Sequence, residues 1–292
     1  MALAAVLWAL IGPLTKELLA EGVSTRTIAF WRAVIAGGLF VVHGAVAGTL
    51  IRPSRRELAV LVAFGVVGVA VFYVALPEAT DAGGVGLAAI LLYTAPVFVA
   101  IASRVGFGDR LDRHRLVPVT ATLVGVGLVA AGAGGAVERP AAAIAWGLLS
   151  GLTYASYYVV GRVLGPTFGP AATYAIAFPI GAALLAGPAD PDVGSGRAWI
   201  LVAVIGVAST YVAYLAFATG LRRVDPTRAS VVATLEPVVA TALGAAIYDE
   251  RLGLVTLLGG AVVVFAAGAS ATGARAAAVD RPASGSDPEP VA

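Results

Sequence analysis

Cysteine is absent from this 292-residue chain, and histidine occurs only twice. Without thiols there can be no disulfide, no thiolate nucleophile and no cysteine-ligated metal. His43 and His114 are isolated in sequence, with no ligand spacing around them, so neither a metal nor another cofactor is expected. Charge is also scarce. Asp, Glu, Lys and Arg together make up 12% of the residues, against about 25% in a soluble domain. The net charge of +2 is carried by arginines scattered through short connecting segments, which excludes a nucleic-acid-binding face. No G-x-x-x-x-G-K-[ST] string occurs, so any ATP hydrolysis would have to come from a separate subunit.

What is present in excess is apolar surface. Hydrophobic residues make up 59% of the chain and the mean hydropathy is +0.92, more than a water-soluble fold could hide. A membrane span takes roughly 20 mainly apolar residues, and runs of this kind fall at about 2–19, 27–49, 58–78, 83–103, 116–134, 142–164, 171–187, 198–220, 227–247 and 254–272. The first run has no basic flank or small-residue cleavage site, so it is expected to be a span and not a removable signal. Glycine, proline and charge punctuate the gaps, as in Arg52-Pro53-Ser54-Arg55-Arg56. Residues 274–292, rich in Ser, Gly, Pro and acid, are expected to form a disordered tail.

The basic residues set the orientation. With a cytoplasmic N-terminus, the even-numbered connections and the tail carry Arg52, Arg55, Arg56, Arg104, Arg110, Arg113, Arg115, Arg162, Arg222, Arg223, Arg228, Arg275 and Arg281. The opposite side carries only Arg26, Arg139, Arg197 and Arg251. That bias predicts a multi-pass protein of the cell membrane with both termini cytoplasmic.

The chain also repeats itself. A shift of 141 residues brings Pro96 onto Pro237, Asp109-Arg110-Leu111 onto Glu250-Arg251-Leu252, Tyr73 onto Tyr214, Gly65 onto Gly206 and Gly127 onto Gly268. Nearer the start the shift becomes 146, matching Trp8 to Tyr154 and Lys16 to Arg162. The pattern predicts two units, residues 1–136 and 137–273. Since five helices is an odd number, the second unit would enter the membrane from the opposite side. The expected fold is therefore all-α, with ten transmembrane helices in two inverted five-helix repeats, an architecture suited to alternating access.

With these residues in view, the chain resembles the drug/metabolite transporter superfamily, specifically its EamA-type members. The resemblance rests on Ala88 to Pro96 followed by Gly108-Asp109-Arg110-Leu111, and on Ala229 to Pro237 followed by Asp249-Glu250-Arg251-Leu252 and Gly259-Gly260. It extends over residues 2–272. It implies a carrier for a small organic metabolite, such as an amino acid or related compound, with export as the expected direction.

Glu236 is the sharpest local signal. It lies near the middle of the ninth span, where a carboxylate costs a few kcal/mol unless it is paired, protonated or facing water. Either it couples protons or binds a solute ammonium, or it is a neutral acid hydrogen-bonded to a neighbouring helix. Pro96 and Pro237 interrupt corresponding helices of the two halves, and such pairs point to a central site, although a plain kink would produce the same sequence. In the sixth span Ser150, Tyr154, Tyr157, Tyr158 and Gly161 form one polar, aromatic stripe that should face inward. Trp8, Tyr73, Tyr93, Tyr211 and Tyr214 would complete an aromatic wall around the solute, unless individual rings are interfacial anchors. Lys16 and Arg32, toward the outer ends of spans one and two, are expected to extend their charges to the surface; the alternative is an outer gate with Glu17 or Glu21. Asp109 and Glu250 are expected to cap or pair at helix ends. Small residues crowd the fifth span (Gly125, Gly127, Ala131, Gly132) and the tenth (Gly259, Gly260, Gly268), which suits close packing or a homodimer surface.

The expected function is secondary transport of a small solute, driven by gradients and with proton coupling as one route. A membrane-embedded enzyme is the alternative, but clustered aspartates with a metal, or a serine paired with histidine, are not visible.

Overall fold

A computed structural model describes residues 1–109, 113–133, 139–187, 189–248 and 253–279, and every regular element among them is helical. Helical segments follow the apolar runs: α1 (Ala2–Ala20), α2 (Thr25–Val46), α3 (Arg55–Gly84), α4 (Leu87–Phe107), α5 (Arg113–Ala133), α6 (Pro140–Leu164), α7 (Pro170–Leu185), α8 (Gly196–Leu221), α9 (Pro226–Ile247) and α10 (Leu254–Val279). Among the described residues, seven of these are long and apolar enough to cross a membrane, while α5, α7 and α10 carry shorter apolar stretches. The protein is a multi-pass membrane protein. Val46, Val105, Leu254 and Phe265 are each more than two-thirds exposed, as lipid-facing side chains should be.

Helix starts follow local chemistry. Ser24, Ser195 and Asp225 each accept a hydrogen bond from a backbone N–H three residues on, and Ser54 forms a capping box with Glu57. Pro140, Pro170 and Pro226 occupy first-turn positions, where a missing N–H costs nothing. The third segment runs past its expected end at 78 to Gly84, whose φ of 78° ends it. Glu78 and Asp81 thus become helix-end charges that pair with Arg26 and Arg139 instead of forming a loop. The last helix runs to Val279, beyond the end expected at 272, because Ala274 to Ala278 is rich in the best helix former. The rest of the expected tail, residues 280–292, lies outside the described residues, as do Arg110, Glu250 and Arg251.

The two halves share their backbone irregularities. In α3 the helix widens into a π-helical stretch at Gly65–Val71, and in α8 the same occurs at Ile205–Val212. Segment α4 breaks at Tyr93 and Thr94 and restarts at Ala95, with Pro96 in its first turn. Segment α9 breaks at Thr234 and restarts at Leu235, just before Pro237. Each proline thus lies in the first turn of a restarted helix, just after the interruption. Thr94 closes its break by donating both N–H and hydroxyl to the Leu91 carbonyl, at 3.2 and 2.6 Å, and Thr234 does the same to Val231.

Packing crosses the repeat boundary. The second half of α3 lies along α6, α2 lies against α7 and α8, and α5 pairs with α10. A side chain at Gly151 would come within 2.7 Å of the Leu91 carbonyl, so α6 covers the break in α4. A side chain at Gly259 would meet the Gly125 carbonyl at 2.6 Å, so part of the expected small-residue surface of α5 and α10 is used between these two helices.

Candidate functional site

Where α1, α3, α6 and α8 converge, buried aromatic rings form one continuous cluster. Trp8 lies edge-on to Tyr154 and Tyr214, at 6.1 and 5.3 Å between ring centres. Tyr157 stacks on Tyr214 at 4.9 Å, and Phe72 on Tyr154 at 5.5 Å. The Tyr158 hydroxyl donates to that of Tyr154 at 3.4 Å. Tyr73 and Tyr214 each sit two residues past the π-helical stretch of their half, and they stand close together at the centre, with Tyr157 beside both. The expected stripe on α6 does face inward, although Ser150 turns its hydroxyl back to the Gly147 carbonyl and Gly161 packs on Leu221.

Glu236, at the restart of α9, is half-buried. Tyr93, from the break in α4, lies beside its carboxyl, and Tyr154 and Tyr158 are close enough to feel its charge. The two helix breaks thus bring a hydroxyl from the first half to a carboxyl from the second. Of the expected wall, Trp8, Tyr73, Tyr154, Tyr157, Tyr158 and Tyr214 are brought together, with Tyr93 and Glu236 adjoining. Tyr211 stands to one side, against Phe40, with its hydroxyl bonded to His43 at 2.8 Å.

Sequence reasoning missed two members. Tyr174 on α7 packs on Tyr214 and Phe178. Arg32, expected to reach the surface, turns into the bundle: its Nε donates to Thr210 Oγ1 at 3.2 Å, and its guanidinium lies 4.3 Å from the centre of the Tyr73 ring. Thr210 in turn donates to the Ile205 carbonyl at 2.9 Å, five residues back, which fixes it in the π-helical stretch. The available signal was depth, since Arg32 lies about two turns inside its helix. Glu17 and Glu21 are both engaged by Arg197 instead, at 2.6 and 2.7 Å. The hydrogen bonds from Ser195 and then Arg197 hold the Glu21 carboxyl below the usual glutamate range.

The cluster separates two small recesses. One, toward the start of α7, is bounded by Phe64, Tyr157, Phe168, Tyr174 and Arg222; the other, toward the end of α7, is bounded by Thr25, Arg26, Tyr73, Glu78 and Leu185. Each has room of only about 20 Å³, enough for one water-sized molecule. Aromatic rings thus lie between two shallow recesses near opposite ends of α7.

An all-helical, multi-pass bundle of two similar halves, meeting at an interior lined with aromatic and ionisable groups, defines the class of membrane transport proteins. The chain belongs to the EamA-like transporter family, whose model matches residues 1–131 and again residues 141–271. A protein of Archaeoglobus fulgidus described as an uncharacterized transporter is 30% identical over 213 residues, covering 73% of this chain and 75% of that protein. A second transporter of the same description and organism is 27% identical over 250 residues, covering 82% and 86%. A crystal structure superposes with a TM-score of 0.78 over 94% of this chain and 96% of its own, at 18% identity, which establishes likeness of fold.

Proposed function

We propose that the chain is a secondary carrier that exports a small organic metabolite, such as an amino acid or a related compound, by alternating access about the aromatic cluster. The observation that carries this reading is the Glu236 carboxyl held beside Tyr93, Tyr154 and Tyr158 where the two halves meet. An ionisable group at such depth is costly and belongs on a pathway. The paired helix breaks and paired π-helical stretches support two inverted five-helix units, hence ten crossings with both termini on the cytoplasmic side of the cell membrane. Inward proton flow through Glu236 would drive export. A homodimer would use the outward faces of α5 and α10, where Val124, Leu258 and Phe265 are exposed.

The test is purified protein in liposomes loaded with an amino-acid mixture, with a pH gradient imposed and external solutes measured by mass. Appearance of unaltered solute, dependent on the gradient, is expected. Chemically changed products would favour the enzyme, and no movement of any solute would sink the carrier. A reporter fused after Gly273 that is active only outside the cytoplasm would overturn the orientation.

A further inference from the structure

We propose that Arg32 is an anion-binding subsite of the central cluster, so that the solute carries a carboxylate opposite the group that engages Glu236. This rests on the carrier reading for its use, but on a separate set of residues for its chemistry.

The other inward or bridging arginines have acids. Arg26 pairs with Glu78, Arg139 with Asp81, Arg162 with Asp109, Arg197 with Glu17 and Glu21, and Arg228 with Asp225. Arg32 is half-buried and well inside its helix, yet among the described residues it has no carboxylate in ion-pair range. It has one hydroxyl, on Thr210, and the face of the Tyr73 ring. A guanidinium cannot shed its proton to escape an apolar setting, and an unpaired charge at membrane depth is expensive.

The aromatic cluster beside it has the same deficit. Trp8 Nε1, the Tyr73 hydroxyl and the Tyr157 hydroxyl are buried without a well-formed hydrogen bond, the two hydroxyls having each other, Tyr214 and Arg32 nearby, and the residues that carry them are each no more than 4% exposed. Indole N–H can only donate, and the two hydroxyls have protons to offer. The central cluster therefore holds unused donors, two of them hydroxyls that can also accept, and one cation that no carboxylate pairs among the described residues. A carboxylate supplies two oxygens and about four lone pairs in the planar geometry that a guanidinium fork matches. Glu236 is near enough to sense Arg32 but forms no ion pair with it, leaving an acid beside Tyr93 and a cation beside Tyr73 within one aromatic cluster. A zwitterion complements both. A phosphate would bring a second negative charge that a single arginine does not balance. The recess that ends on Tyr73 is the approach to this subsite.

The test uses the full-length protein in detergent, with thermal unfolding as the readout. The probes are the twenty proteinogenic L-amino acids, their carboxamides, and glycerol 3-phosphate. At least one free amino acid should raise the melting temperature while its carboxamide does not. Arg32→Gln should weaken that acid's apparent affinity by about ten- to a hundredfold, with Arg32→Lys between the two. The subsite is overturned if carboxamides stabilise as well as acids, if only the phosphate stabilises, if no acid does, or if Arg32→Gln binds the acid like the parent. Should Arg32→Gln not accumulate, the acid-against-amide series on the parent protein still decides. Liposomes separate the two readings: transport of amines or neutral solutes without any carboxylate removes the subsite and keeps the carrier. Binding of an acid that is never transported removes the carrier and keeps the subsite.

Discussion

Tyr73 and Tyr214 occupy the same place in the two halves of the chain, and they stand beside each other in the middle of the bundle. Contact between a residue and its repeat counterpart means that the relation between the halves passes through this point, so a small movement of either half is felt here first. The Tyr73 hydroxyl is buried without a well-formed hydrogen bond, with Tyr157, Tyr214 and Arg32 only nearby, so it contributes little to stability. Tyr73→Phe should leave unfolding unchanged or raise stability by up to about 1 kcal/mol, while solute transport in liposomes falls. A stability loss above this, or unchanged transport, would make the hydroxyl irrelevant to the solute.

Arg162 grips Asp109 with hydrogen bonds of 2.6 and 3.0 Å and lies over the Phe107 ring at 4.0 Å, tying the end of α4 to the end of α6. The carboxyl is well shielded and the guanidinium moderately so, which places the pair between a surface bridge and a buried one. Asp109→Asn should therefore cost about 1–3 kcal/mol. In a double-mutant cycle with Arg162→Gln the two losses should not add, because each removes the same bond. Additive losses in thermal unfolding would show that the groups act apart.

The clasp of Glu17, Glu21 and Arg197 joins the end of α1 to the start of α8 on one face. Because Glu21 is held below the usual glutamate range in the folded protein, its contribution is complete above that range and disappears as pH falls through the lowered folded value. In Arg197→Gln that extra acid sensitivity should shrink. The measurement is melting temperature against pH for parent and variant; parallel curves down to strong acid would show that the clasp does not favour the ionised carboxyl.

Periodicity and composition were enough to locate the helical segments, because a membrane helix must satisfy its backbone internally and be apolar on its outer surface. The stripe on α6 was legible for the same reason: three tyrosines at helical spacing have no place against lipid. The repeat also pointed to Tyr73, Tyr214, Pro96 and Pro237. What was not legible depended on which way a side chain turns within its helix. Arg32 is basic and near a helix start, which from sequence suggests a residue reaching for water; only the π-helical stretch carrying Thr210, on a helix nearly two hundred residues away in sequence, shows why it turns inward. Tyr211 is placed at the cluster's edge in the converse way. It lies three residues before Tyr214, but the wide turn of the π-helix and the His43 side chain hold it away from the other tyrosines. Deviations from regular helix decide both cases, and hydrophobic patterning carries little information about them.

Glu236 is the residue on which the coupling depends. Its carboxyl stands beside Tyr93, with Tyr154 and Tyr158 nearby, in a part of the bundle where a lone negative charge is costly. It should therefore spend part of the cycle as a neutral acid bonded to Tyr93 and ionise when water or a cationic group of the solute arrives. Glu236→Gln keeps the size and can still accept from Tyr93, but it has no proton to release. The variant should insert and unfold like the parent. Export driven by a pH gradient should fall by at least about tenfold, equivalent to roughly 1.4 kcal/mol, whereas exchange of solute for solute should persist if the carboxyl serves only the proton. Loss of both activities with unfolding unchanged would assign Glu236 to holding the solute's cationic group as well. Transport by Glu236→Gln with the parent's rate and pH dependence would remove the proton from the mechanism and leave this carboxyl as a tie between α4 and α9.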